Sequence, residues 1–199
     1  MTETGMLTSN PLDGERVAGS VGRPLPSVAL RIANADCKTL LTGEIGEIQV
    51  KGANVLSGYW RMPEKNEEDF TPDGFFKTGD LGKLDERDYL YIVGRSKDLV
   101  ISGGYNVYPK EIELLIGALP GVAESAVFGV PDPDFGEAVV AVIVPQNGEQ
   151  GLTEPGVIAA LKLQLANFKL PKRVYFADDL PRNAMGKVQK SELRKRYCA

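Results

Sequence analysis

Glycine and proline keep interrupting residues 1–97, in "NPLDG", "GRPLP", "TGEIGE" and "TPDGFF". Glycine inside a helix costs about 1 kcal/mol relative to alanine, and proline about 3. This half of the chain is therefore expected to build short strands joined by turns. Runs such as Glu47-Ile48-Gln49-Val50-Lys51 and "DYLYIVG" (88–94) supply the strands. Small β-sheets or a distorted barrel follow, with one helix over Pro63–Phe70.

After "GRSKDLV" the texture changes. Pro109 stands where a first helical residue would, and Ile112, Leu115, Ile116 and Leu119 form one apolar stripe. "VAESAVFGV" (122–130) and "EAVVAVIVP" (137–145) read as strands, the second apolar enough to be central. Thr153 is placed to cap a helix with Val157, Ile158, Leu161 and Leu165 on one side. "RVYFAD" (173–178) reads as a third strand, and Ser191 opens a terminal helix. The expected order after residue 98 is hairpin, helix, strand, strand, helix, strand, helix, an α+β module. A domain boundary is expected at Asp98, dividing 1–97 from 98–199.

Composition excludes several functions. A net charge of −4 argues against a general nucleic-acid binder. The charge is uneven: Lys169–Arg196 holds nine Lys or Arg against Asp178, Asp179 and Glu192. The longest apolar run, Ala138–Val144, is too short to span a bilayer, so no membrane association is expected. Cys37 and Cys198 lack metal-ligand spacing, and two free thiols suit a reducing compartment. No basic-then-apolar leader opens the sequence, and Cys198 lies too near the end for prenylation; a cytoplasmic location is expected. The chain has no histidine, so the commonest general acid/base is missing.

Three clusters and one lysine can carry chemistry. Thr2-Glu3-Thr4-Gly5 sets hydroxyls beside a carboxylate, a donor set for Mg²⁺ and phosphate oxygens or simply a polar terminus. "FFKTGDLG" holds Thr78, Gly79 and Asp80; a carboxylate there can accept from a ribose diol, or the stretch can be a hairpin turn. "GRSKDLVISGGYNVYPKEIE" (94–113) offers the planar fork of Arg95 and, at Gly103-Gly104, room for close backbone approach. By composition it is a strand, a glycine turn and a helix start. Lys187 follows Gly186 in a loop before the basic chain end, either a solvated surface charge or a charge put to use.

Together these stretches resemble the adenylate-forming superfamily of acyl-CoA synthetases, luciferases and peptide-synthetase adenylation domains. "MTETG" is similar to the family's "YGxTE" motif without its leading Tyr-Gly. "KTGDLG" resembles the "TGD" motif, "GRSKDLVISGGYNVYPKEIE" the hinge motif, and "PRNAMGK" the terminal "P-x-x-x-x-G-K" motif, all in family order. A complete member has a large N-terminal domain with a Ser/Thr/Gly-rich phosphate loop, which this sequence lacks. The resemblance therefore implies the last third of such an enzyme. Residues 1–97 would be the β-rich end of the large AMP-binding domain, a distorted β-barrel, and 98–199 the small mobile α+β domain. "NPLDGERVAGSVG", "GYWRMPEK" and "DDLPRNAMGKVQK" look most like malonyl-CoA synthetases.

The resemblance implies a reaction in two halves that needs no histidine. A small carboxylic acid attacks the α-phosphate of ATP, giving acyl-adenylate and pyrophosphate; the thiol of coenzyme A then displaces AMP. By resemblance Lys187 bridges carboxylate and α-phosphate, Glu3 ligates Mg²⁺, and Thr2 contacts phosphate. Asp80 holds the ribose hydroxyls with Arg95 supporting it. Asp98 is the hinge, and Gly103, Gly104 and Tyr105 line the thiol's path. The context of Lys187 also resembles that in which family lysines are acetylated, which implies a protein acetyltransferase as partner. The 199 residues alone are expected to be inactive in adenylation. Two alternatives stand beside this reading: a synthetase for another short or medium acid, and a noncatalytic carrier or partner-docking module.

Overall fold

Short β-branched runs pair into antiparallel sheets through the first half of the chain. The computed structural model describes residues 1–146 and 151–198. It divides into two units, Met1–Lys97 and Asp98–Ala199.

In the first unit, Thr8–Ser9 (β1) and Arg23–Pro24 (β2) form a small antiparallel ribbon. Val28–Ala33 (β3), Gly46–Gly52 (β4), Phe76–Leu84 (β5) and Leu90–Arg95 (β6) make a four-stranded antiparallel meander in chain order. Pro63–Asp69 (α1) lies between β4 and β5, where the sequence predicts a helix. Val28, Ile32, Ile48, Val50, Phe76 and Leu90 form the core. Gln49 is wholly buried between two of these, and its amide is satisfied: Oε1 accepts from Arg31 Nε at 2.9 Å and Nε2 donates to Glu47 Oε2 at 3.2 Å. A buried amide left without such partners would cost about 1–3 kcal/mol.

The second unit follows the predicted element order. Val100–Ser102 (β7) and Tyr105–Val107 (β8) form a hairpin. Pro109–Gly117 (α2) leads to Val122–Asp132 (β9) and Gly136–Pro145 (β10), which pair antiparallel along their lengths. Glu154–Lys162 (α3) then crosses to Arg173–Phe176 (β11), parallel to β10, and Lys190–Tyr197 (α4) ends the fold. Thr153 caps α3 by accepting from Gly156 N–H at 3.3 Å.

β10 is central and buried on both faces, which explains its unbroken apolar run. Val139, Ala141 and Ile143 point to one core with Ile112 and Ile116 of α2 and Val157 and Leu161 of α3. Val140 and Val142 point to the other, with Leu180 and Leu193 of α4. Period-2 alternation thus serves two helical layers instead of one layer and solvent. Among the described residues no helix is long and apolar enough to cross a membrane.

Candidate active site

Thr78-Gly79-Asp80 lies inside a strand, which corrects the hairpin-turn alternative. Glu47 pairs with Leu81 but Gln49 pairs with Lys77, so β5 carries extra residues here. Such a bulge needs a residue in the left-handed region, and Gly79 has φ +69. The buried Thr78 hydroxyl repairs the ladder. It donates to the Ile48 carbonyl at 2.8 Å and accepts from Asp80 N–H at 3.1 Å. The bulge re-aims Asp80, whose Cα partner on β6 is Arg95. Asp80 Oδ1 lies 2.7 Å from Arg95 Nε, with the Asp80 side chain 23% exposed. Its remaining acceptor capacity is open to a ligand.

The segment carrying Thr2 and Glu3 is pinned beside this strand. Asn54 Nδ2 donates to the Thr4 carbonyl at 2.7 Å and to the Met6 carbonyl at 3.1 Å, and Leu56 N–H donates to the Glu3 carbonyl at 2.8 Å. Thr4 is fully buried. Thr2 Oγ1 donates to Glu3 Oε2 at 3.1 Å. The Glu3 carboxyl is held below its ordinary value, first by its own backbone N–H, then by Thr2 and Arg95, against partial desolvation. Tyr59 is pushed up by burial and by the neighbouring Glu3 carboxylate. Gly5, Met6, Thr78 and Asp80 line one cavity of about 280 Å³, together with Ile48, Leu90 and Ile92. Thr2, Glu3, Asp80 and Arg95 therefore share one neighbourhood.

Sequence reasoning passed over Asn54, Tyr59 and Asn66. Asn66 Oδ1 accepts from Tyr59 N–H at 2.6 Å and its Nδ2 donates to the Tyr59 carbonyl at 3.0 Å, fixing the loop that presents Tyr59. An asparagine flanked by turn residues carries no mark of a partner fifty positions away.

The other predicted residues lie in the second unit. Asp98 closes the 3-10 turn Ser96–Asp98, and its Oδ1 accepts from Arg194 Nη2 of α4 at 3.3 Å. Gly103 (φ +58) and Gly104 (φ +81) form the two-residue turn of the β7–β8 hairpin. A Cβ on Gly103 would meet Phe135 at 3.1 Å, whereas one on Gly104 would meet nothing within 4 Å among the described residues. Tyr105 stacks on Phe168 with ring centroids 4.6 Å apart and keeps 60% of its surface exposed. Lys187 is exposed in the hairpin-like turn bridged by Arg182 and Val188, and its ammonium has no side-chain partner among the described residues. No group of three or more His, Cys, Asp or Glu able to hold a metal occurs among the described residues.

Two family models match separate stretches of the chain. Residues 1–60 match the family described as "AMP-binding enzyme", and residues 111–187 match "AMP-binding enzyme C-terminal domain". The chain is 43% identical over 205 residues to a malonate–CoA ligase of Arabidopsis thaliana, covering 98% of this chain and 33% of that protein. It is 45% identical over 195 residues to an indoleacetate–CoA ligase of Aromatoleum aromaticum, covering 97% and 38%. The chain thus spans about a third of the length of these curated relatives. Among solved structures, ATP-bound MatB from Rhodopseudomonas palustris aligns with TM-score 0.94 at 60% identity, over 99% of this chain and 39% of that one. The apo form of the same protein aligns with TM-score 0.75 over the same shares.

Proposed function

The chain belongs to the AMP-binding enzyme family, and on that premise we propose that it is the C-terminal portion of an ATP-dependent acid–thiol ligase. A carboxylate oxygen attacks the α-phosphorus of ATP; that P–O bond forms as the bond to pyrophosphate breaks. The sulfur of coenzyme A then attacks the acyl carbon, its thiol proton passing to solvent, and AMP leaves with the bonding pair. The observation that carries this reading is the bulge that fixes Asp80 against Arg95 on a cavity shared with the Glu3 segment. Asp80 would accept from the ribose diol, and Arg95 would hold its carboxylate in place.

Lys187 supplies what the first half requires. Carboxylate and triphosphate repel, and an ammonium between them lowers that repulsion and stabilises charge developing on the α-phosphate. Glu3 suits Mg²⁺: its carboxyl is held in the ionised form, and Mg²⁺ takes one or two protein carboxylates with phosphate oxygens and water completing the shell. Mg²⁺ would supply charge neutralisation on the phosphates, and Thr2 a hydroxyl to them. Asp98 is the pivot we propose between half-reactions, and the differing fits to ATP-bound and apo MatB support a conformational change in that relative. The open space over Gly104 supports a thiol passing there beside Tyr105.

Malonate is the acid we propose, supported by the three resembling segments and the Arabidopsis relative. ATP–pyrophosphate exchange against a panel of acids tests it, with indoleacetate as the rival. The free Cys37 and Cys198 support the cytoplasm as its compartment. The Lys187 ammonium, without a side-chain partner among the described residues, supports acetylation by a protein acetyltransferase as a control, read by mass spectrometry of the modified lysine.

The decisive measurement separates the half-reactions in the whole ligase. Lys187→Ala is expected to lower adenylation by roughly 10²–10³, the range for one preorganised electrostatic donor. Thioester formation from supplied acyl-adenylate should stay near wild type. Equal loss in both halves would rule out a role for Lys187 confined to adenylation.

A further inference from the structure

Lys187 is exposed, but its backbone is tightly held. Asn183 N–H donates to the Lys187 carbonyl at 2.9 Å, and Gly186 N–H donates to the Asn183 carbonyl at 2.9 Å. Asn183 Oδ1 accepts from Met185 N–H and from Lys187 N–H, each at 3.0 Å. Arg182 Nη1 donates to the Gly186 carbonyl at 2.7 Å. The Gly186 carbonyl and the Lys187 N–H are the two polar ends of one planar peptide unit. That plane is therefore gripped on both edges, by Arg182 on one side and by Asn183 on the other.

The grip matters because Gly186 sits at φ +76, where a glycine changes backbone torsion at little cost. A turn of this plane would re-aim the Cα–Cβ bond of Lys187, and the ammonium sits at the far end of a four-carbon stem. Arg182 is itself anchored. Its second terminal nitrogen, Nη2, pairs with Glu124 Oε1, and Glu124 lies on β9 opposite Val144 of the central strand. A chain of contacts thus runs from the sheet through Glu124 and Arg182 to the peptide that carries Lys187.

We infer that Arg182, braced by Glu124, is a positioning residue for Lys187: its guanidinium sets the peptide plane from which the lysine side chain departs. The inference rests on the proposed role of Lys187 in adenylation. A surface ion pair valued only for stability would contribute little and would touch both half-reactions alike. A positioning role acts on the first half alone.

The test uses Arg182→Met, which keeps most of the stem and removes the donors, beside Lys187→Ala in the whole ligase. Arg182→Met is expected to lower kcat for adenylation by about 10- to 100-fold, the usual cost of losing a group that orients a reacting one. KM for ATP and thioester formation from supplied acyl-adenylate should change by less than about twofold, because neither uses this plane. Arg182→Lys should recover part of the loss, since one ammonium cannot serve both the Gly186 carbonyl and Glu124 as the fork does. Amide exchange in the 199-residue chain gives a readout independent of activity: the Lys187 N–H should exchange about tenfold faster or more in Arg182→Met.

Wild-type adenylation in Arg182→Met, alongside a large loss in Lys187→Ala, overturns the inference. So does an equal fall in both half-reactions. If Lys187→Ala leaves adenylation intact, the ligase role of the lysine fails, and the positioning claim is decided by the exchange rate, which must rise. Should Arg182→Met not fold, Glu124→Gln takes its place; it keeps the loop bond and loosens the brace, so a smaller loss in the same half-reaction supports the inference and none overturns it.

Discussion

One hydroxyl organises the candidate nucleotide site. Thr78 satisfies the Ile48 carbonyl and the Asp80 N–H at the point where the bulge withdraws their ladder partners. Thr78→Val keeps the shape and strands both groups in a buried setting. It is expected to destabilise the first unit by about 1–3 kcal/mol, the penalty for unsatisfied polar groups, as urea denaturation would measure. On the proposed role of Asp80 in holding the ribose, the same substitution should also raise KM for ATP in the whole ligase. An unchanged denaturation midpoint would mean that water replaces the hydroxyl without cost.

At the scale of elements, the Gly103-Gly104 hairpin separates backbone strain from steric fit. Both residues have left-handed φ, which costs a residue with a Cβ about 1–2 kcal/mol. Gly104→Ala should show that cost alone, because its Cβ meets open space, whereas Gly103→Ala adds a 3.1 Å contact with Phe135. Thermal denaturation should therefore rank Gly103→Ala below Gly104→Ala, and equal midpoints would mean that Phe135 swings aside freely. The second unit was legible in sequence because its signals are local: Pro109 at a helix start, Thr153 as a cap, an apolar stripe on α2, a continuous apolar run on β10. Asp80 and Lys187 were legible as candidates through motifs. Their settings were not, because each depends on a distant partner. The bulge at Gly79 needs Ile48, the Thr4 segment needs Asn54, and the Lys187 turn needs Glu124. Turn composition alone reads "KTGDLG" as a reversal of direction, when the chain continues straight through it.

For the whole molecule, one contribution to acid sensitivity is expected from a cross-link in the first unit. Arg31 of β3 grips Asp73 with both terminal nitrogens, at 2.6 and 3.1 Å, and Thr71 donates to it at 2.6 Å. Arg31 first, then Thr71, lowers the Asp73 pKa from 3.8 to about 2. A depressed carboxyl contributes stability that is present above its unfolded value and lost as pH falls through the folded one. The stability gap between wild type and Asp73→Asn should be full at about pH 5 and shrink from about pH 4 toward 2. A gap constant across that range would show that the pair adds nothing to folding. The pairing of β10 also has a consequence for the order in which the second unit assembles. β9 and β10 are joined by a short turn in which Asp132 Oδ1 accepts from Asp134 and Phe135 N–H, so their ladder closes locally. β11 reaches β10 only across α3, and such a distant parallel contact forms late because loop-closure entropy must be met first. Pulse-labelled exchange during refolding should protect the β9–β10 amides before those of β11; simultaneous protection would contradict this sequence of events. Lys187 lies beyond β11, so the turn that bears it finds Glu124 already in place, a finished wall against which the last segment of the chain is set.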